Sequence, residues 1–301
     1  MSNIQRAFEN GKVFIPFITC GDPSLDITEQ LVYAAEEAGA DLIELGIPFS
    51  DPTAEGPVIQ AANLRALTGG VTTDDIFDMV RRIRKKTDIP MVFMTYANVV
   101  FSYGYQQAAQ ERRAEAGCQK GADSGNGSTD CENSGMPSVG GRDCADSGSG
   151  TERFIRTAAE IGMDGLILPD VPYEEKEEFD MVCKKYGLDF ISLIAPTSHE
   201  RIRRIAADAS GFVYCVSSMG VTGMRSEITS DVGSMVRLVK ETKDIPCAVG
   251  FGISTPEQAA KMAALSDGAI VGSAIVRLCG QYGKECVPYV REYIRTMKEA
   301  L

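Results

Sequence analysis

Short apolar runs alternate with amphipathic stretches eight times along this chain, and that alternation restricts the available folds more than any other feature. The runs are VFIPFITC (13–20), DLIELGIP (41–48), PMVFMTYA (90–97), DGLILPD (164–170), DFISLIAP (189–196), GFVYCVSS (211–218), IPCAVGFG (245–252) and DGAIVGS (267–273). Their length and residue types predict strands. Segments 24–39, 72–86, 151–162, 174–187, 198–210, 227–243 and 255–266 carry apolar residues at helical spacing, and a long helix ends the chain at Leu301. Strand–helix alternation builds a parallel sheet, because each crossover helix returns the chain to start the next strand in the same direction. Eight such units predict an α/β fold of the closed (β/α)8 TIM-barrel class. An open doubly wound sheet is the alternative, but no GxGxxG or GxxxxGK[ST] loop follows any strand.

Residues 105–150 break the pattern after the third strand. They are crowded with Gly, Ser, Asp and Asn, and after Tyr105 their only large apolar residues are Met136 and Val139. Such a segment buries too little apolar surface to offset its ordering entropy. It is expected to be a disordered insertion in one barrel domain spanning 1–301, with a short helix in QQAAQERRAEA. Without it about 255 residues remain, near the ~250 typical of the barrel. Its three cysteines, at 118, 131 and 144, are evenly spaced. Chance in a flexible loop explains them better than a thiolate metal site, which normally uses closely spaced pairs.

Charge and rare residues exclude several functions. With 30 Lys+Arg against 42 Asp+Glu, the net charge of −12 argues against nucleic-acid binding, which needs clustered bases. It leaves anionic substrates open, since backbone N–H groups bind phosphate locally. The single histidine, His199, rules out a multi-His metal site and reads as a solvated residue in a helix's first turn. The nine cysteines contain no CxxC and sit mostly in apolar runs, as expected for a reducing cytoplasm. No apolar run approaches the ~18 residues of a membrane helix, and the N-terminal MSNIQRAFENGK lacks a signal core. No strand contains a lysine, which disfavours Schiff-base chemistry.

Two places carry chemistry. In the second strand Leu42, Glu44 and Gly46 share one face, and Ile43, Leu45 and Ile47 share the other. Helices cover the outside of a barrel, so Glu44 is expected to point into the lumen near the C-terminal, catalytic end. A carboxylate there fits a general acid/base with a raised pKa, or a structural Glu bonded to a hydroxyl. The following loop, FSDPTAEGP (49–57), adds Asp51 and Glu55 over the mouth. The second place is the pair of glycine-bearing turns, GFGIST and VGSAIV, after strands seven and eight. Backbone N–H groups and a helix starting near Ser273 can hold a phosphate there. SSMGVTGMRS, after strand six, is expected to be a mobile lid. Together these suggest proton transfer on a phosphorylated substrate, with no metal and no cofactor in this chain.

DLIELGIPFSDPTAEGPVIQ, with FITCGDP, MTYANVVF, LPDVP, SSMGVTGMRS, VGFGIS and GAIVGSAIV, resembles the α subunit of tryptophan synthase. The similarity runs in order along the chain outside about 105–150. It implies retro-aldol cleavage of indole-3-glycerol phosphate to indole and glyceraldehyde 3-phosphate. It also implies a β subunit carrying pyridoxal phosphate (PLP), joined in an α2β2 heterotetramer. Glu44 falls where the family has its catalytic Glu. Glu55 falls where many members have a second acid as Asp. Phe17, Tyr214, Thr222 and Phe251 fall on substrate-lining positions, and Gly223, Gly252, Gly272 and Ser273 on phosphate-binding ones. The insertion follows strand three on the face where the family docks its β subunit, so partner binding is what it puts in doubt. Two other readings are a different cofactor-free phosphosugar enzyme and a non-catalytic partner of a β subunit. Phe17, Phe251 and Pro169 near the mouth argue against the first, and the carboxylates Glu44 and Glu55 against the second.

Overall fold

The computed structural model describes residues 2–104, 149–216, 228–250 and 252–301, with 228–231 by their backbone alone. The expectations for residues 105–148, for the SSMGVTGMRS lid, and for Thr222, Gly223 and Phe251 therefore fall outside the described residues. Strands β1 (Val13–Thr19), β2 (Ile43–Gly46), β3 (Met91–Met94), β4 (Gly165–Ile167), β5 (Asp189–Phe190), β6 (Ser192–Ile194), β7 (Val213–Val216), β8 (Cys247–Gly250) and β9 (Gly268–Val271) are all parallel. Their order is β5-β4-β3-β2-β1-β9-β8-β7-β6. The two ends of that order are one piece of chain. The predicted fifth strand is split at Ile191, with β5 paired to β4 and β6 paired to β7. Ile191 N–H still donates to Leu166 O at 2.9 Å, so the turn of chain closes the barrel.

Helices α2 (Leu25–Glu37), α4 (Thr73–Ile83), α6 (Gly150–Glu160), α7 (Glu177–Tyr186), α8 (His199–Asp208), α9 (Ile228–Thr242) and α10 (Pro256–Leu265) lie where the spacing predicts. The terminal helix is two, α11 (Ser273–Tyr282) and α12 (Cys286–Glu299). Three further helices are additions to the sequence reading: α1 (Asn3–Ala7), α3 (Pro57–Thr68) and α5 (Ala97–Ser102). α3 is hidden in sequence because Gly56 and Pro57 suggest a turn and its buried face is Ala62, Asn63 and Ala66, with no large apolar stripe. Pro57 is in fact at the first helical position, where its missing N–H costs nothing.

The alternation predicted for β2 holds. Leu42 joins the lumen cluster with Val13, Ile15, Val92, Ile167, Ala248 and Ile270. Ile43, Leu45 and Ile47 pack outward with the helices. α1 closes the N-terminal end of the barrel: Ile4 is fully buried against that lumen cluster, with Phe8 beside it. Burying a side chain such as Ile4 stabilises by about 1.5–3 kcal/mol. His199 opens α8 after its capping Ser198 and is exposed, as expected.

The two ends of the 105–148 segment meet. Arg153 Nη1 donates to Gly104 O at 3.4 Å, and Gly150 packs on the backbone carbonyl of Phe101, leaving no space for a Cβ. Ser149 caps α6 by accepting from Glu152 N–H, so 149 and 150 belong to the helix rather than to the insertion.

Candidate active site

β2 carries Glu44 into the lumen, in register with Phe17 of β1 and Val92 of β3. Between those apolar neighbours its side chain is 1% exposed. Burial, and then the nearby Glu55 charge, push its pKa up to about 8. Glu44 therefore holds its proton at neutral pH, which is the state a general acid needs. Among the described residues no hydroxyl side chain is hydrogen-bonded to this carboxyl, as a structural Glu held by a hydroxyl would require.

Glu55 lies in the loop between β2 and α3 and is half-buried. Tyr96 Oη donates to its Oε2 while accepting Ala54 N–H at 2.9 Å. Tyr96 is 3% exposed and stacks on Phe49 with ring centroids 5.0 Å apart. Burial raises the Tyr96 pKa, and the bond to Glu55 adds to that, so Tyr96 keeps its proton and Glu55 accepts its hydrogen bond. Burial raises the Glu55 pKa, against the lowering effect of the Tyr96 bond. Asp170, in the loop after β4, accepts Ala97 N–H on both oxygens at 3.1 Å, and its charge also raises Glu55. Tyr96 and Asp170 escaped the sequence reading as functional residues, although MTYANVVF and LPDVP contain them. An aromatic and an acid, each at the end of a strand, were the available signal.

The other expected lining residues follow from close approaches. The Phe17 ring occupies the space a Cβ on Gly46 would need. The Tyr214 ring does the same at Gly250. Tyr214 is in β7, in register with Ala248. Burial, and then the Glu44 charge, raise its pKa, which places the phenol within electrostatic reach of Glu44. Phe17, Glu44, Gly46 and Tyr214 thus share the upper lumen. Asp51 is exposed and bonded to Ser50 Oγ at 2.5 Å, outside this group.

Beyond β1 on the same rim, α11 begins at Ser273 after Gly272, and no side chain caps it. Its first N–H groups and the positive end of its dipole are free to meet an anion. Gly252 has φ +77° and open space where a Cβ would point. Its left-handed backbone favours glycine. A Cβ on Gly272 would approach Phe17 Cβ and Cδ1 to 3.3 Å, so that glycine serves the fit of Phe17 as well as access to the helix end. Among the described residues no group of His, Cys, Asp and Glu could hold a metal, and no helix is long and apolar enough to cross a membrane.

The family of the tryptophan synthase alpha chain matches residues 4–120 and 147–301. The match reaches residue 120 and resumes at 147. The tryptophan synthase alpha chain of Lacticaseibacillus casei is 40% identical over 301 residues, covering 100% of this chain and 96% of that protein. That of Caldanaerobacter subterraneus subsp. tengcongensis is 43% identical over 308 residues, covering both chains fully. Among solved structures, tryptophan synthase subunit alpha from Legionella pneumophila superposes with a TM-score of 0.76 at 32% identity, covering 100% of this chain and 98% of that one. The tryptophan synthase complex from Pyrococcus furiosus does so with a TM-score of 0.73 at 28% identity, covering 96% and 99%. With the barrel, the buried acid and the full-length similarity in agreement, the chain belongs to the tryptophan synthase alpha chain family.

Proposed function

We propose that this protein cleaves indole-3-glycerol phosphate to indole and glyceraldehyde 3-phosphate, with Glu44 as the general acid. The observation that carries the proposal is the Glu44 carboxyl buried in the lumen, where burial raises its pKa, with Glu55 held by Tyr96 at the mouth. Glu44 delivers its proton to ring carbon 3 of the indole, giving a cationic indolenine. The bond from that carbon to the glycerol chain then breaks, and its electrons return to the ring. The adjacent hydroxyl loses its proton and becomes the aldehyde; the Glu44 carboxylate formed in the first step accepts that proton, which restores the acid. Glu55, oriented by Tyr96, accepts the indole N–H and stabilises the positive charge on the ring. Phe17 and Tyr214 line the ring and chain, with Thr222 and Phe251. The phosphate lies on Gly223, Gly252, Gly272 and Ser273 at the start of α11. The reading asks for no cofactor in this chain. It assigns PLP to a β subunit joined in an α2β2 complex in the cytoplasm, and keeps the 105–148 segment as an insertion in a single barrel domain. Purified protein supplied with indole-3-glycerol phosphate should release indole and glyceraldehyde 3-phosphate in equal amounts, faster with a β subunit. No indole from either preparation would contradict the proposal.

A further inference from the structure

α3 and α11 both lie over the C-terminal end of β1. α3 starts two residues after Glu55, and α11 starts at the anion-binding Ser273. Near their N-terminal ends they meet on Phe17, which packs with Val58, Ile59 and Ala62 of α3 and Val276 of α11. One turn further along, a different contact joins them. Arg65 of α3 forks onto Asp22, with Nε to Oδ1 at 2.8 Å and Nη2 to Oδ2 at 2.7 Å. The Asp22 side chain is 1% exposed, in the loop between β1 and α2. The same guanidinium lies against Gly280 of α11, where a Cβ would come within 3.0 Å of Nη2. A glycine weakens a helix interior relative to alanine, so its presence here is explained by the room the guanidinium needs. Asp22 is fixed by burial, Arg65 by two parallel hydrogen bonds, and α11 by contact with the fork. Neither Arg65 nor Asp22 takes part in the chemistry described above.

We infer that Arg65, forked on Asp22, is a positioning residue that sets the spacing of α3 and α11, and hence the span from the Glu55 end of the site to the anion-binding end. The inference rests on the proposed substrate, whose ring and phosphate are joined by three carbons and must reach both ends at once. A ligand that engages two subsites through a short tether is sensitive to their separation, whereas each half binding alone is not.

The test uses full-length protein carrying Glu44→Gln, so that the substrate stays intact. Calorimetry compares indole, glycerol 3-phosphate and indole-3-glycerol phosphate on this parent, on Arg65→Lys and on Gly280→Ala. Lysine keeps the charge beside Asp22 but cannot fork. Gly280→Ala keeps both members of the pair and presses on the guanidinium, so it decides the matter if Arg65→Lys does not fold. The expected result is indole and glycerol 3-phosphate affinities within about twofold of the parent, with the joined substrate weakened about tenfold or more. Unchanged affinity for the joined substrate in the folded variants would overturn the inference. So would halves weakened as much as the whole, since that is damage to a subsite rather than to the span. A parent that binds none of the three ligands would instead overturn the proposed function, and the inference with it.

Discussion

The two ends of the proposed site are built from different materials. The acid end consists of side chains: Glu44 deep in the lumen, Glu55 at the mouth, and Tyr96 bonded to Glu55 and stacked on Phe49. The anion end consists of backbone: the uncapped start of α11 and the left-handed Gly252. A side-chain site gains its chemistry from burial, because a dry carboxyl keeps its proton. A backbone site gains its affinity from geometry, because the N–H groups are present in every helix and only need access. The acid end should therefore fail by loss of turnover when one functional group changes. The anion end should fail by loss of affinity when space is filled.

The largest expected effect is at the acid end. Glu44→Gln keeps the shape and removes the proton donor, so kcat should fall at least ~10²-fold, while glycerol 3-phosphate affinity is unchanged. Steady-state kinetics with calorimetry on the same preparation separate the two. Next is Tyr96→Phe, which leaves the ring on Phe49 but takes the donor from Glu55. With the lowering bond gone, the Glu55 pKa should rise further, so the carboxylate form needed for the indole N–H populates at higher pH. The activity–pH profile should shift upward with a roughly tenfold drop in kcat at neutral pH, the scale of ~1.4 kcal/mol for a lost charge-assisted bond. At the anion end, Gly252→Ala should raise KM and weaken glycerol 3-phosphate severalfold with kcat largely kept. Its cost in stability should be about 1 kcal/mol, since alanine must adopt φ +77°. Gly272→Val is a less specific test because it also presses on Phe17.

A smaller effect distinguishes the ends through stability. The Glu44 pKa is raised from 4.5 to about 8 in the fold. The folded chain then binds a proton that the unfolded chain has lost between those values, so Glu44 makes stability fall as pH rises from about 4.5 to 8. Relative to wild type, Glu44→Gln should gain Tm across that window and level off above it. Thermal melts from pH 5 to 9 read this directly, and a parallel pair of curves would contradict it. The smallest effect is expected from joining Gly104 to Ser149. Those ends are already side by side, so Tm should be the same or higher and basal lyase activity unchanged, with tighter β-subunit binding.

How much of this was legible in the sequence follows the same division. Glu44 could be placed because a period of two along DLIELGIP leaves an acid among apolar residues on the lumen face, and that pattern survives in the fold. Gly252, Gly272 and Ser273 could be proposed for the phosphate because glycine marks backbone approach and the helix start follows it. Tyr96 could not, since its bond to Glu55 joins residues 41 positions apart and no local pattern encodes it. α3 was missed because its buried face is small and its start carries Gly and Pro. The break at Ile191 was missed because it arises from barrel closure, where one segment must pair on both sides, and DFISLIAP alone carries no sign of it.

The central claim is that Glu44 is a neutral acid at physiological pH, and its carboxyl can be observed directly. Difference infrared spectra of wild type minus Glu44→Gln, recorded from pH 5 to 10, should show one protonated-carboxyl C=O band that disappears with a midpoint near pH 8. A band that has already vanished by pH 5 would mean that Glu44 is ionised at neutral pH, and the account of it as the proton donor would be wrong.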